Sequence, residues 1–104
     1  MVFVESCAFT DDVAKLLSEE SYAKLQAFLM ANPDAGDVIQ GAGGLRKLRW
    51  SLEGTGKRGG ARVIYFHSVA RAQVRMLLIY SKGTRADLTS FQRARLRKIN
   101  EGWT

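Results

Sequence analysis

The residues of this chain that can do chemistry are cations and one phenol, and they gather between Gly41 and Lys82. That stretch reads GAGGLRKLRW, then EGTGKRGG, then ARVIYFHSV, and closes on QVRMLLIYSKG. Arg46, Lys47 and Arg49 lie along the first apolar-basic run, and Lys57 and Arg58 stand in the glycine-rich turn. Arg62 opens the next run. Strand alternation places Tyr80 and Lys82 on one face of the third. Together these groups describe a cationic pocket with one phenol at one end of a sheet, a place to hold a polyanion. If the polyanion is RNA, the same groups could cleave it. The ribose 2′-hydroxyl attacks its own phosphate, a base takes the hydroxyl proton, and an arginine stabilises charge building on phosphorus. Crowding by other cations lowers a lysine's pKa, which would fit Lys57 or Lys82 to act as base or acid.

Simpler roles are open at each position. Tyr80 ends an apolar run, where an aromatic belongs to the core. Arg62 can bind phosphate for affinity alone, because most nucleic-acid contacts position and do not react. His67 ends a strand and suits packing or solvent. Trp50 suits packing too, although a strand tryptophan can stack on a base. Other chemistries are poorly served. His67 is the only histidine, so no two-histidine acid–base pair exists. Cysteine, histidine and carboxylates are too scattered for a metal site. GAGG at 41–44 is not followed by Lys and Ser/Thr opening a helix, as a nucleotide P-loop requires. No metal and no cofactor are expected.

Charge divides the chain. Residues 1–44 hold two cations and seven anions, whereas residues 45–104 hold fourteen cations and three anions, which together give the net +6. A basic half of this kind favours a nucleic-acid partner. Length and composition, 104 residues with 46% hydrophobic side chains, fit one domain spanning 1–104 with a core that needs no staple. A single cysteine, Cys7, cannot form an internal bridge and reads as a structural residue of a short apolar strand in a reduced, cytoplasmic setting. No apolar run approaches the roughly 20 residues needed to span a bilayer, and no signal peptide is visible.

The elements that must position the cations are legible in outline. Residues 1–5 form a β-branched run. Thr10, Asp11 and Asp12 are candidate caps for a first helix carrying Val13, Leu16 and Leu17. Ser18, Glu19 and Glu20 open a second, striped by Tyr22, Leu25, Phe28 and Leu29 and ended by Asn32 and Pro33. Residues 34–44 are expected as loop. Strands follow at 45–51, 61–69 and Gln73–Ser81, the last with an unbroken apolar stretch suited to a centre strand. Thr89 and Gln92 make a capping-box pattern. Leu88, Phe91, Leu96, Ile99 and Trp103 would face inward on the final helix, with Arg95 snorkelling from the same arc. The order β-α-α-β-β-β-α describes an α+β domain with helices on one face of an antiparallel-rich sheet.

That order, with GGLRKLRW, GKRGGARVIYF and MLLIYSKG, resembles the RelE/HigB branch of the RelE/ParE toxin superfamily over nearly the whole chain. The resemblance implies a RelE-like fold, a small antiparallel-rich sheet with two N-terminal helices on one face and a C-terminal helix. It further implies a cytoplasmic toxin of a type II toxin–antitoxin system, a metal-independent endoribonuclease that cleaves mRNA in the ribosomal A site. A cognate antitoxin, in this branch usually a helix-turn-helix protein, would hold it inactive. By position, Arg62 matches the family's phosphate-binding arginine, Tyr80 the strand-end tyrosine, Lys82 the basic residue two places on, and Lys57 the basic residues flanking the attacking hydroxyl. Arg46, Lys47, Arg49 and Arg58 would bind RNA or the ribosome. The chain departs from the pattern at its end, EGWT, where some nucleases of the family carry a catalytic His or Tyr; the indole of Trp103 is a donor only. Two alternatives stand beside this one. The first is a ParE-like toxin that inhibits gyrase without catalysis, and the second a nucleic-acid-binding module that does not cut.

Overall fold

A computed structural model describes residues 1–51, 60–81 and 87–103. Among these residues the order is β1 (Val2–Glu5), α1 (Cys7–Leu16), α2 (Glu19–Ala31), β2 (Asp37–Val38), β3 (Arg46–Trp50), β4 (Ala61–Ser68), β5 (Gln73–Ser81) and α3 (Ser90–Glu101). One mixed sheet runs β1-β5-β4-β3-β2, with β1 parallel to β5 and every other pair antiparallel. No helix among the described residues is long and apolar enough to cross a membrane.

The sheet is covered on both sides. On one face Phe9, Val13 and Leu17, with Leu25 and Leu29 of α2, pack against Val63, Tyr65, Val74, Met76 and Ile79. The opposite face carries Ile64, Leu77 and Tyr80, covered by Leu88 and by Leu96 of α3. The C-terminal helix therefore does not join the other two helices, as the element order suggested, but takes the other side. Two-sided burial is what the unbroken apolar run of β5 requires, and Val74 to Leu77 are all buried.

Alternation along β5 breaks once. Ile64 lies opposite Leu78 while Tyr65 lies opposite Met76, so Leu77 is an extra residue with no partner across the ladder. A bulge of this kind turns two successive side chains to one side. Leu77 and Leu78 both join the α3-side core, and Ile79 returns to the other. The bulge also leaves carbonyls to satisfy. Ser6 does this: its N–H donates to Met76 O at 2.9 Å and its hydroxyl to Leu77 O at 2.7 Å. The same Oγ accepts from Phe9 N at 3.1 Å, making Ser6 the N-cap of α1. The helix thus begins ahead of Thr10, Asp11 and Asp12, the caps expected from sequence. Cys7 is its first residue and exposed, not part of a strand.

Other local expectations fare variously. Ser18 caps α2 and Thr89 with Gln92 completes a capping box on α3. Within the expected loop 34–44, Asp37 and Val38 form the short edge strand β2. Phe91 and Ile99 face outward, 69% and 46% exposed, with the Arg95 guanidinium 5.9 Å from the Phe91 ring centre. What holds the end of α3 is Arg75. Its Nη1 donates to Asn100 O and Oδ1 at 3.2 and 2.9 Å. The guanidinium lies between the rings of Phe66 and Trp103, 5.3 and 5.5 Å from their centres. Burial, with Arg71 nearby, pulls its pKa below the usual arginine value.

Because one hydroxyl serves both the helix cap and the bulge, Ser6→Ala should lose a cap and leave a carbonyl unsatisfied. We expect destabilisation of roughly 2–3 kcal/mol, measured by urea unfolding. A loss no larger than about 0.5 kcal/mol, the scale of an ordinary surface substitution, would show that the bulge does not depend on Ser6.

Candidate functional site

The bulge decides which side of β5 the phenol faces. Strict alternation from Met76 would put Tyr80 on the α1/α2 side. With Leu77 inserted, Tyr80 instead joins the α3-side core and lies opposite Arg62 of β4. Arg62 in turn lies opposite Arg49 of β3. The three side chains form one row across three neighbouring strands, where directly opposed residues are roughly 5 Å apart. Lys47, two residues before Arg49, shares the face and flanks the row from the strand pairing Lys47 with Ile64.

The members of the row differ in exposure. Arg62 and Tyr80 are 7% and 5% exposed, whereas Arg49 is exposed at the sheet edge. A guanidinium with so little water around it attracts an anion more strongly than an exposed one. Behind Arg62 the backbone is tightly constrained. Gly60 has φ +54, and a Cβ there would meet Trp50 O at 2.3 Å, so this turn position suits glycine alone. Beside the end of β5 a cavity of about 220 Å³ is lined by Leu78, Ile79, Tyr80 and Ser81 and by Asp12, Lys15 and Leu16 of α1.

Among the described residues one carboxylate borders the cations. Asp87, just ahead of α3, lies 3.5 Å from Lys47 Nζ and accepts from Leu88 N at 2.8 Å. The Leu88 N–H, then the charge of Lys47, hold its carboxyl below the usual range. Sequence reasoning did not single out Asp87; its place just before the buried Leu88 and the Thr89 cap was the available signal.

Arg49, Lys47, Arg62 and Tyr80 are thus brought together. Arg46 is not. It lies opposite Tyr65 on the other face, where its Nη1 donates to Gly36 O at 2.8 Å and to Asp34 O at 3.1 Å, and its Nε is 3.7 Å from Asp34 Oδ1. That arginine holds the connection between α2 and β2. His67 joins the same corner, its Nδ1 3.1 Å from Asp34 Oδ1. Lys57, Arg58 and Lys82 lie outside the described residues. In chemical terms the row offers a nearly buried guanidinium, a phenol whose hydroxyl is closed off from solvent, and more exposed cations, a set suited to holding an anion.

No protein-family model matches the chain. Among solved structures it is similar to a chain of the intact E. coli RelBE toxin–antitoxin complex, with a TM-score of 0.58 and 17% identity, covering 77% of this chain and 94% of that one. At that identity the likeness is one of fold. The sheet and helices described above are a RelE-like α+β fold.

The Asp87 geometry sets a pH signature. A carboxyl whose folded pKa is depressed adds stability above its unfolded pKa and loses it as pH falls through the folded value. An NMR titration of the Asp87 carboxyl should therefore give a midpoint below the ordinary 3.8. Lys47→Ala should raise that midpoint while leaving it depressed, because the Leu88 N–H remains. An unchanged midpoint would mean Lys47 does not hold Asp87 in solution.

Proposed function

We propose that this protein is the toxin of a type II toxin–antitoxin system and acts in the cytoplasm as a ribosome-dependent mRNA endonuclease. The observation that carries this is the row of Arg49, Arg62 and Tyr80 on one sheet face of a RelE-like fold. Pure protein binding does not require a nearly buried arginine beside a nearly buried phenol, whereas phosphoryl chemistry uses both. The basic C-terminal part supplies the field that draws RNA.

In this mechanism Arg62 binds the phosphate under attack and stabilises its developing charge. The 2′-hydroxyl oxygen bonds to phosphorus as the bond to the 5′-oxygen breaks, leaving a cyclic phosphate and a free 5′-hydroxyl. Lys57 or Lys82 takes the proton from the 2′-oxygen or supplies one to the leaving oxygen. Tyr80 orients the phosphate or a base, and Lys47, Arg49 and Arg58 track the backbone on either side. No metal takes part. A cognate antitoxin, expected to be of helix-turn-helix type, keeps the toxin inactive, as the neighbouring fold is found in a toxin–antitoxin complex.

The test is cell-free translation with purified protein, mapping mRNA 5′ ends with and without ribosomes. Cuts should appear only on translated mRNA, in register with A-site codons. Arg62→Ala should lower the cleavage rate by roughly 10²–10³-fold in a protein whose circular dichroism is unchanged. Tyr80→Phe, which keeps the ring and removes only the hydroxyl, should also slow it. Cuts on naked RNA would make the protein a free ribonuclease. No cuts, with DNA damage in arrested cells, would point to gyrase and sink this assignment.

A further inference from the structure

Beyond the phosphate row, the structure holds a second feature at the same end of the sheet but on its other face. Trp50 lies next to Arg49 and opposite Ala61, so its ring projects away from the row. It packs against Phe28 of α2, ring centres 5.9 Å apart and planes inclined by 50°. Its indole N–H is already used, donating to Ser21 Oγ at 3.2 Å. The ring is therefore fixed in place, and what it has left to offer is its face. Phe28, Leu48, Arg49, Trp50 and Ser51 line an open cleft of about 340 Å³, near the lower end of small-molecule pockets, roughly 300–1,000 Å³. The short β2 reaches only Arg46 and Lys47. Among the described residues no strand covers the outer edge of residues 48–50.

We infer that this cleft takes an unpaired nucleobase of single-stranded RNA, from a nucleotide flanking the one whose phosphate lies on the Arg62 row. Two arguments select a base over another apolar occupant. The walls include the rings of Phe28 and Trp50, which pack on each other and offer their remaining aromatic surface to a flat π-system. Arg49, exposed and a member of the cationic row, also contributes to the lining of the cleft. A strand whose phosphate meets Arg49 can pass round the uncovered edge of β3 and turn its base inward. Cations hold the backbone and the aromatic pair holds one base, a division seen wherever single strands are bound without sequence readout. The inference rests on the proposed RNA-binding function and adds to it a subsite for a second nucleotide.

The experiment is fluorescence polarisation at low salt with labelled single-stranded RNA of about a dozen nucleotides, scanned with one abasic position at a time. For the wild-type protein, an abasic site at one register should weaken binding roughly tenfold. Trp50→Leu keeps an apolar side chain but removes the stacking face. It should bind the intact RNA as weakly as the wild type binds the abasic one, and show no further abasic penalty. Trp50→Phe should restore part of both. Abasic scanning of the wild type needs no variant, so misfolding cannot obscure it. Equal affinity at every abasic register, with tight salt-sensitive binding retained, overturns the subsite and leaves the RNA reading standing. No binding of any RNA by the wild type overturns the subsite, while the ribosome-dependent reading stands or falls on the translation assay.

Discussion

One hydroxyl group joins the start of the chain to the strand that carries the phenol. Ser6 closes the first turn of α1 and at the same time accepts the duty of a hydrogen-bond partner for the bulged Leu77 carbonyl. The extra residue at Leu77 reverses the facing of everything after it on β5. Without it Tyr80 would be committed to the α1/α2 core and could not lie across from Arg62. The candidate site is thus a product of an irregularity, and the irregularity persists because its loose polar atoms are satisfied by an element from the other end of the sequence.

The α3 side of the sheet is divided between a packed region and a cationic one. Its lower part is closed by Leu96, Trp103 and the clasp of Arg75 on Asn100, where a cation is used to fasten a helix end. Its upper part carries Arg49, Arg62 and Tyr80. Arg75 and Arg62 are equally buried, at 7% exposure, at different places on this face. Arg75 donates to a carbonyl and an amide within the fold. Arg62 lies in a row with a second arginine, an arrangement that gains from an anion between them.

Much of the frame was legible because it follows from side-chain type. Apolar runs bounded by glycines marked β3, β4 and β5, and Ser18 and Thr89 announced two helices. The failures have physical reasons. Thr10, Asp11 and Asp12 looked like caps, but they lie inside α1, and the smaller signal of Ser6 was the true start. The bulge was invisible because Leu77 and Leu78 are both apolar, so the run reads the same with or without an inserted residue. Phe91 and Ile99 fell on the expected inner arc of α3, but the sheet surface it covers is filled by Leu88, Leu96 and Trp103. Arg46 carried the same charge as Arg49 and differed only in strand parity, which fixed its face once pairing with Tyr65 was known.

The parallel pairing of β1 with β5 has a consequence for how the molecule comes into being. The Ser6–Leu77 contact spans 71 positions, and β1 cannot pair until β5 has appeared. Contacts of that separation raise contact order and slow the search for the native state. A nascent chain can assemble neither the bulge nor the row it aligns until β5 has emerged. The face that carries Arg49, Arg62 and Tyr80 is therefore completed only once β5 has been made and paired.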